Sequence, residues 1–496
     1  MATSKQRWYF SAHRTFLRHF MGHQHHHRTF LVTTFVVLAA LLSWQYCGTR
    51  YAGWTPAKFW RLGLLIDTPG CQLAAHDPFD HSMQKRYYKD TWRNETLCQD
   101  PDDPVKFVRY DVPELNGPLL QRRYGVSAED VHCQYSPLTR NLTAAIPDLN
   151  AVYGAPRPVV FGEPIPDEYI LLWCNAGKKK LFGQHYFLPK RRNTKPLSRE
   201  QIGVVVIGLD SVSRSNSFRQ LPRTRQFMKE RGAFEMLGYN KVGENTMPNV
   251  IPLLTGMSGD LVRTRYRRRN FDGLPHLMAV YKEKGFPTIY HDECPNSGVF
   301  VYVGGMGFRE APSDYYPYFG SIVPPALSPC AALKYFSDVV TLNKKMFAWL
   351  WLMNMTHEDI NDAGYLDLPL ESTLRSLAAS GIMENNALLV MADHGARYGD
   401  YRLTDLGDYE DKLPVCLLAL PQRFLHQYPE AAANLEVNQR RLVTSVRFAR
   451  DVAGSVDAAP FPLATNRPGL EPISKGPTGE NLRRRLYPAP VLRMRR

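Results

Sequence analysis

The first 66 residues contain no aspartate or glutamate, and residues 29–46 (TFLVTTFVVLAALLSWQY) contain no charge of either sign. An uncharged run of this length, closed by Trp44 and Tyr46, excludes an ordinary solvated segment and is long enough to span a bilayer. The Lys and Arg excess before it predicts a cytosolic N-terminus, and no small-residue cleavage site marks it as a removable signal peptide. The expectation is a single-pass type II membrane protein, its body in the Golgi lumen or on the extracellular side. A cleaved signal and a secreted protein are the alternative.

No C-x-x-C pair occurs among the eight cysteines, which argues against a zinc ribbon. Cys47 adjoins the apolar run and the other seven cysteines lie beyond it, accompanied by the sequons at Asn94, Asn141 and Asn354, a combination suited to an oxidising, glycosylating compartment. The expected pairs are Cys71 with Cys98, Cys133 with Cys174 and Cys294 with Cys330, leaving Cys416 as a core thiol. Asn94 and Asn141 are the expected glycan carriers.

The formal charge of +14 over 496 residues invites a nucleic-acid reading, but the basic runs, Tyr266 aside, lack interleaved aromatics. Much of the excess sits in the tails: the last fourteen positions include Arg483, Arg484, Arg485, Arg493, Arg495 and Arg496. Within the body, Lys178 to Lys180, Lys190 to Arg192 and Arg263 to Arg269 read as solvated loops that would also suit an anionic substrate.

What is present is a βα alternation starting at residue 203. Buried strands are expected at 203–209, 286–290, 347–353, 387–392 and 413–420, with helical runs at 274–284 and 371–379 and a closing helix at 442–453. Such alternation builds a mostly parallel sheet flanked by helices, with ligands at its carboxyl edge. Val204 to Ile207 is a continuous β-branched run, the pattern of a strand buried on both faces, and it ends in Asp210. A carboxylate there can hold a hard cation, or it can cap a helix in competition with Ser211, Ser213 and Ser215. Thr246, in a polar turn before Pro248 at an expected first helical position, is an exposed nucleophile candidate. A second buried strand delivers Asp393 and His394, a carboxylate beside an imidazole, with Gly395 permitting close backbone approach.

Asp210, Thr246 and Asp393-His394 in this order resemble the alkaline phosphatase superfamily, which includes sulfatases, nucleotide pyrophosphatases and phosphoethanolamine transferases. GLDSVSR, GYNKVGENTMPN, MADHGARYG and the run 410–414 resemble more closely an animal family of sulfatase-like membrane proteins catalogued as domain of unknown function two hundred and twenty-nine. That likeness covers about 202–456 well and the preceding part loosely. It implies an α/β fold of the alkaline phosphatase/sulfatase kind behind an N-terminal transmembrane helix. The organisation read from the chain is a basic cytosolic tail (1–28), a signal anchor (29–46), a disulfide-tied stem and subdomain (47–198), a catalytic domain (199–456) and a basic tail (457–496).

The resemblance implies one or two divalent ions, zinc first, with manganese, magnesium or calcium as alternatives. Asp210, Thr246, Asp393 and His394 would hold one, and His357 with Asn361 match the place of a second. Arg397 is assigned to transition-state charge, and Arg214 and Arg402 to substrate oxygens, with surface ion pairs as their alternative. Standard sulfatases need Cys or Ser in a Cys/Ser-x-Pro-x-Arg run; here the stretch is Thr246-Met247-Pro248-Asn249-Val250, which favours phosphorus over sulfur. The function expected is a metal-dependent hydrolase or phospho-transferase acting on an anionic ester of a glycan, glycolipid or nucleotide. A catalytically silent relative that binds glycans or a membrane partner is the alternative.

Overall fold

The computed structural model describes residues 63–81, 86, 98, 103–193, 195–318 and 329–446. The expected membrane segment, Asn94, Cys47 and the C-terminal tail lie outside them. Among the described residues no helix is long and apolar enough to cross a membrane.

A six-stranded sheet forms the centre. Its strands in chain order are β1 (Gly203–Leu209), β2 (Phe234–Glu235), β3 (Thr288–Asp292), β4 (Phe347–Leu352), β5 (Asn386–Met391) and β6 (Cys416–Ala419), and their spatial order is β2-β6-β5-β1-β4-β3. β3, β4, β1 and β5 run parallel, and β6 and β2 add an antiparallel edge. Every residue of β1, β4 and β5 is buried. Alternation explains this: Val204 and Val206 enter one core layer while Val205, Ile207 and Leu209 enter the other.

Helices cover both faces. The relevant ones are α1 (Arg214–Gln220), α2 (Pro222–Glu230), α3 (Thr246–Thr255), α4 (Gly259–Arg265), α5 (Leu277–Glu283), α6 (Pro329–Asn343), α7 (Asp367–Ala379) and α8 (Asp405–Lys412). α3 and α5 pack with the Val204 layer, and α2, α6 and α7 with the Val205 layer. The mixed α/β class and the central strands thus match expectation, with strand boundaries displaced by at most three residues.

Before β1, the strands Ala151–Tyr153, Val131–Arg140, Tyr169–Ala176 and Lys179–Phe187 form an antiparallel sheet, with Arg157–Pro158 added on Val131–Arg140. Cys133 and Cys174 face each other in register and are disulfide-bonded, as expected. The other expected pairs are corrected. Cys98 bonds to Cys330 at the start of α6, 232 residues away, and Cys71 and Cys294 are free, while Cys416 is a buried free thiol as expected. Pairing by sequence proximity fails because loop-closure entropy grows only slowly with loop length, so chain separation penalises a distant partner little.

The expected closing helix is corrected too. Leu442–Thr444 is a strand, paired in parallel with Gly238–Asn240. Val and Thr in this stretch suit a pleated pairing, and the waiting edge outweighs local helical periodicity. The rest of that expected helix, beyond residue 446, lies outside the described residues.

Candidate metal centre

The parallel strands bring their carboxyl ends together, and three acidic or imidazole groups meet there. Asp210 follows β1 directly, and Asp393 and His394 follow the neighbouring β5; all three are fully buried. One ligand atom from each lies within 4.8 Å of the other two. Among the described residues this is the group of three or more such side chains placed to hold a metal ion.

The hydrogen bonds around the triad point the same way. His394 Nδ1 lies 2.8 Å from the Gly395 carbonyl, which fixes the Nδ1–H tautomer and leaves Nε2 with a lone pair. Burial lowers the His394 pKa, which keeps the ring neutral. His394 Nε2 stands 3.2 Å from Asp393 Oδ2, and neither atom has a hydrogen-bond partner. Two buried acceptors left facing each other are costly unless a cation lies between them. Burial raises the Asp210 pKa, helped by the Asp393 charge, and raises that of Asp393 to about 6. A divalent ion would reverse that cost, so the residues fit a metal.

Thr246 is the first residue of α3, and its Oγ1 donates to Asp210 Oδ2 at 2.9 Å. The helix therefore begins earlier than Pro248, the position expected to open it. Asn249 fastens the approach turn: its Oδ1 accepts from the Val242 and Gly243 N–H groups, and its Nδ2 donates to the Gly243 and Asn245 carbonyls. Gly395 sits against α8, where a Cβ would collide with the Glu410 carbonyl. That is the close approach its sequence position suggested.

The remaining expected site residues divide. Arg397 donates to Asn245 Oδ1 at 2.6 Å, beside the nucleophile candidate. His357 is close enough for its charge to act on Asp210, but its Nδ1 lies 2.7 Å from Glu358 Oε1. Asn361 is buried with its amide committed elsewhere: Oδ1 accepts from Gln220, and Nδ2 donates to Asp359 and the Arg86 carbonyl. Arg214 is drawn to Glu235 at 3.0 Å, and Arg402 pairs with Asp408 and Asp411 at 2.8 and 3.1 Å. Asn141 lies in a turn in which its Oδ1 accepts from the Thr143 N–H and hydroxyl.

Sequence reasoning missed Ser211 and Asp292. Ser211 adopts a positive φ of 63°, a strained conformation for serine. Its hydroxyl donates to Asp210 Oδ1 at 2.8 Å and its N–H to Asp393 Oδ1 at 3.2 Å, so one residue positions both carboxylates. Capping of α1 falls instead to Ser213. Asp292 ends β3, and burial, with the charges of Asp210 and Glu293, pushes its pKa up to about 8. Its signal was its place at a strand end, which resembles many ordinary turns. Lys241 is nearly buried, its Nζ 2.5 Å from Asp411 and 3.0 Å from Glu244.

Residues 94–319 and 333–448 match the family described as "Protein of unknown function (DUF229)". The chain belongs to this family. No curated protein matches it. Among solved structures, it is similar to the C-terminal periplasmic domain of EcEptC from Escherichia coli in complex with zinc, at 14% identity over 52% of this chain and 83% of that one, with a TM-score of 0.39. The soluble domain of lipooligosaccharide phosphoethanolamine transferase A from Neisseria meningitidis is similar at 10% identity, covering 53% and 90%, with a TM-score of 0.35. The lipoteichoic acid synthase LtaP from Listeria monocytogenes is similar at 12% identity, covering 46% and 69%, with a TM-score of 0.32.

Proposed function

We propose that this protein is a metal-dependent hydrolase or transferase of phosphate esters, less favourably of sulfate esters, working through Thr246. The observation that carries this reading is the Thr246 hydroxyl donating to Asp210 within a buried triad whose Asp393 Oδ2 and His394 Nε2 are unpartnered. A retired site has no physical reason to keep two orphaned acceptors around a hydroxyl.

A bound divalent cation, held by Asp210, Asp393, His394 and the Thr246 oxygen, would supply Lewis-acid charge that favours the alkoxide and offsets charge on the ester oxygens. The chain's own groups account for the rest. Thr246 Oγ1 forms the bond to phosphorus as the ester oxygen departs with its electron pair. Asp210 Oδ2, at 2.9 Å, is the acceptor placed for the hydroxyl proton, which passes on to the departing ester oxygen. Water or an alcohol acceptor then breaks the Thr–phosphorus bond and returns a proton to Thr246. Arg397, held by Asn245 beside Thr246, can pair with the non-bridging oxygens. The substrate class that suits this chemistry is a glycan, glycolipid or nucleotide ester. The test is metal content of the full chain, with Thr246→Ala and Asp393→Ala beside it, followed by turnover of phosphodiester and sulfate-ester substrates. One or two ions, lost in Asp393→Ala and kept in Thr246→Ala, support the proposal. Folded protein that takes up no zinc, manganese or calcium sinks it and favours a binding relative.

The topology expected for residues 29–46 belongs to this proposal: the body on the luminal or extracellular side of a single anchor, with Asn94 and Asn141 glycosylated. Two disulfides among the described residues support an oxidising compartment.

A further inference from the structure

α3 and α4 are joined by a tight return. Gly256 closes α3 in the left-handed conformation, and Ser258 caps α4 by accepting from the Leu261 N–H. The chain thereby doubles back until Gly259 stands against the first turn of α3, where a Cβ on Gly259 would lie 2.7 Å from Pro248 Cα. α4 thus begins beside Thr246's own helical turn and leads directly into the segment 263–269, RTRYRRR.

Arg263, Arg265, Arg267, Arg268 and Arg269 are all exposed. Arg263 is paired with Asp260 at 2.9 Å. The other four have no carboxylate partner among the described residues. The turn is a built feature: Arg268 has a φ of 56°, and its N–H donates to the Gly304 carbonyl. That bond anchors the arginines to the turn bearing Tyr302, which is 46% exposed. Within five residues, four guanidinium groups without a carboxylate partner, Arg265 lying 5.9 Å over the Tyr266 ring and Tyr302 exposed on the adjoining turn, repel one another unless an external polyanion meets them.

We propose that this surface docks a sulfated or phosphorylated glycan chain. Three observations select that partner. Guanidinium groups match sulfate and phosphate oxygens in a planar, bidentate way, and all the cations here are arginine rather than lysine. Tyr302 offers a ring face against which a sugar can lie, with its hydroxyl still in water. The two disulfides belong to compartments where the polyanions on offer are glycans, not nucleic acids. A membrane surface fits less well: insertion needs a contiguous apolar face, and α4 exposes the single large apolar side chain Leu261. Binding here goes beyond the chemistry of Thr246 and does not require it.

The experiment titrates the full chain with a fluorescent heparin-derived oligosaccharide, read by anisotropy at rising sodium chloride. The expected result is binding that weakens steeply with salt. Arg265→Ser/Arg267→Ser/Arg268→Asn/Arg269→Ser should lose at least about tenfold in affinity and show a shallower salt dependence. A matching variant with four lysines should keep the salt dependence at reduced affinity, which separates loss of recognition from loss of fold. Thr246→Ala should bind as the unmodified chain does, so failure of the catalytic reading leaves this result intact. Equal affinity in the four-serine/asparagine variant overturns the proposal. So does an unmodified chain that ignores the oligosaccharide, whether or not it binds phosphatidylserine vesicles.

Discussion

Two buried charged clusters bridge the same pair of segments, one after β1 and one after β5, and they differ in a single respect. In the first, Arg219 and Glu410 are nearly inaccessible to solvent and fully engaged. The guanidinium donates to Glu410 at 2.9 and 2.6 Å, to Asn216 Oδ1 and to the Pro78 carbonyl, while Ser213 donates to Glu410 at 2.7 Å. In the second, Asp210, Asp393 and His394 are as deeply buried, yet Asp393 Oδ2 and His394 Nε2 face each other without partners. A cluster balanced from within holds the fold together. One that gathers two carboxylates and a neutral imidazole, with atoms left over, is arranged for something from outside.

The contrast breaks most visibly at the proposed nucleophile. Thr246→Ala should lower turnover by about 10³-fold or more while leaving the bound metal in place, measured by steady-state kinetics beside elemental analysis. Next comes the closed cluster. Glu410→Gln leaves Arg219 buried without its counter-charge and should cost about 3–5 kcal/mol in denaturant unfolding, whereas Asp393→Asn should cost the metal-free protein little and abolish its stabilisation by zinc. Equal destabilisation by the two would erase the distinction.

The pH dependence should separate them further. The Asp393 carboxyl, raised to about 6, binds its proton more tightly in the folded than in the unfolded chain. The metal-free protein should therefore lose stability as pH rises from about 4, the unfolded value, through about 6. A cation competes with that proton, so metal affinity should fall up to about tenfold per pH unit below 6, read by isothermal titration. The smallest effect belongs to Arg402, which is partly exposed on Asp408 and Asp411. Arg402→Ala should change stability by no more than about 1 kcal/mol, and a rise in KM without loss of kcat would mark it as a substrate contact.

Much of the scaffold was legible because β1, β4 and β5 are buried on both faces and so appear as unbroken apolar runs ending in polar residues. Asp210, Asp393 and His394 were legible for the same reason, since each follows the end of a buried strand, and Thr246 was legible from the polar turn that opens α3. Asn361 and Arg214 were misplaced because their residue types suit a site equally well when committed to Gln220 and Glu235. Ser211 read only as a possible helix cap because its role at the site lies in a positive φ that no residue pattern announces. Cys98 found Cys330 across 232 residues, and Leu442–Thr444 became a strand because an edge was free to receive it.

The sequence by itself determined the α/β alternation, the central strands and the residue types at their carboxyl ends, since burial and hydrogen-bond periodicity are local constraints written into neighbouring residues. Only the tertiary structure decided which polar groups are balanced and which are left open. The Thr246 bond to Asp210, the meeting of Asp210 with Asp393 and His394, and the bidentate closure of Arg219 on Glu410 all depend on distances between residues far apart in the chain, and those distances exist only once the core has packed.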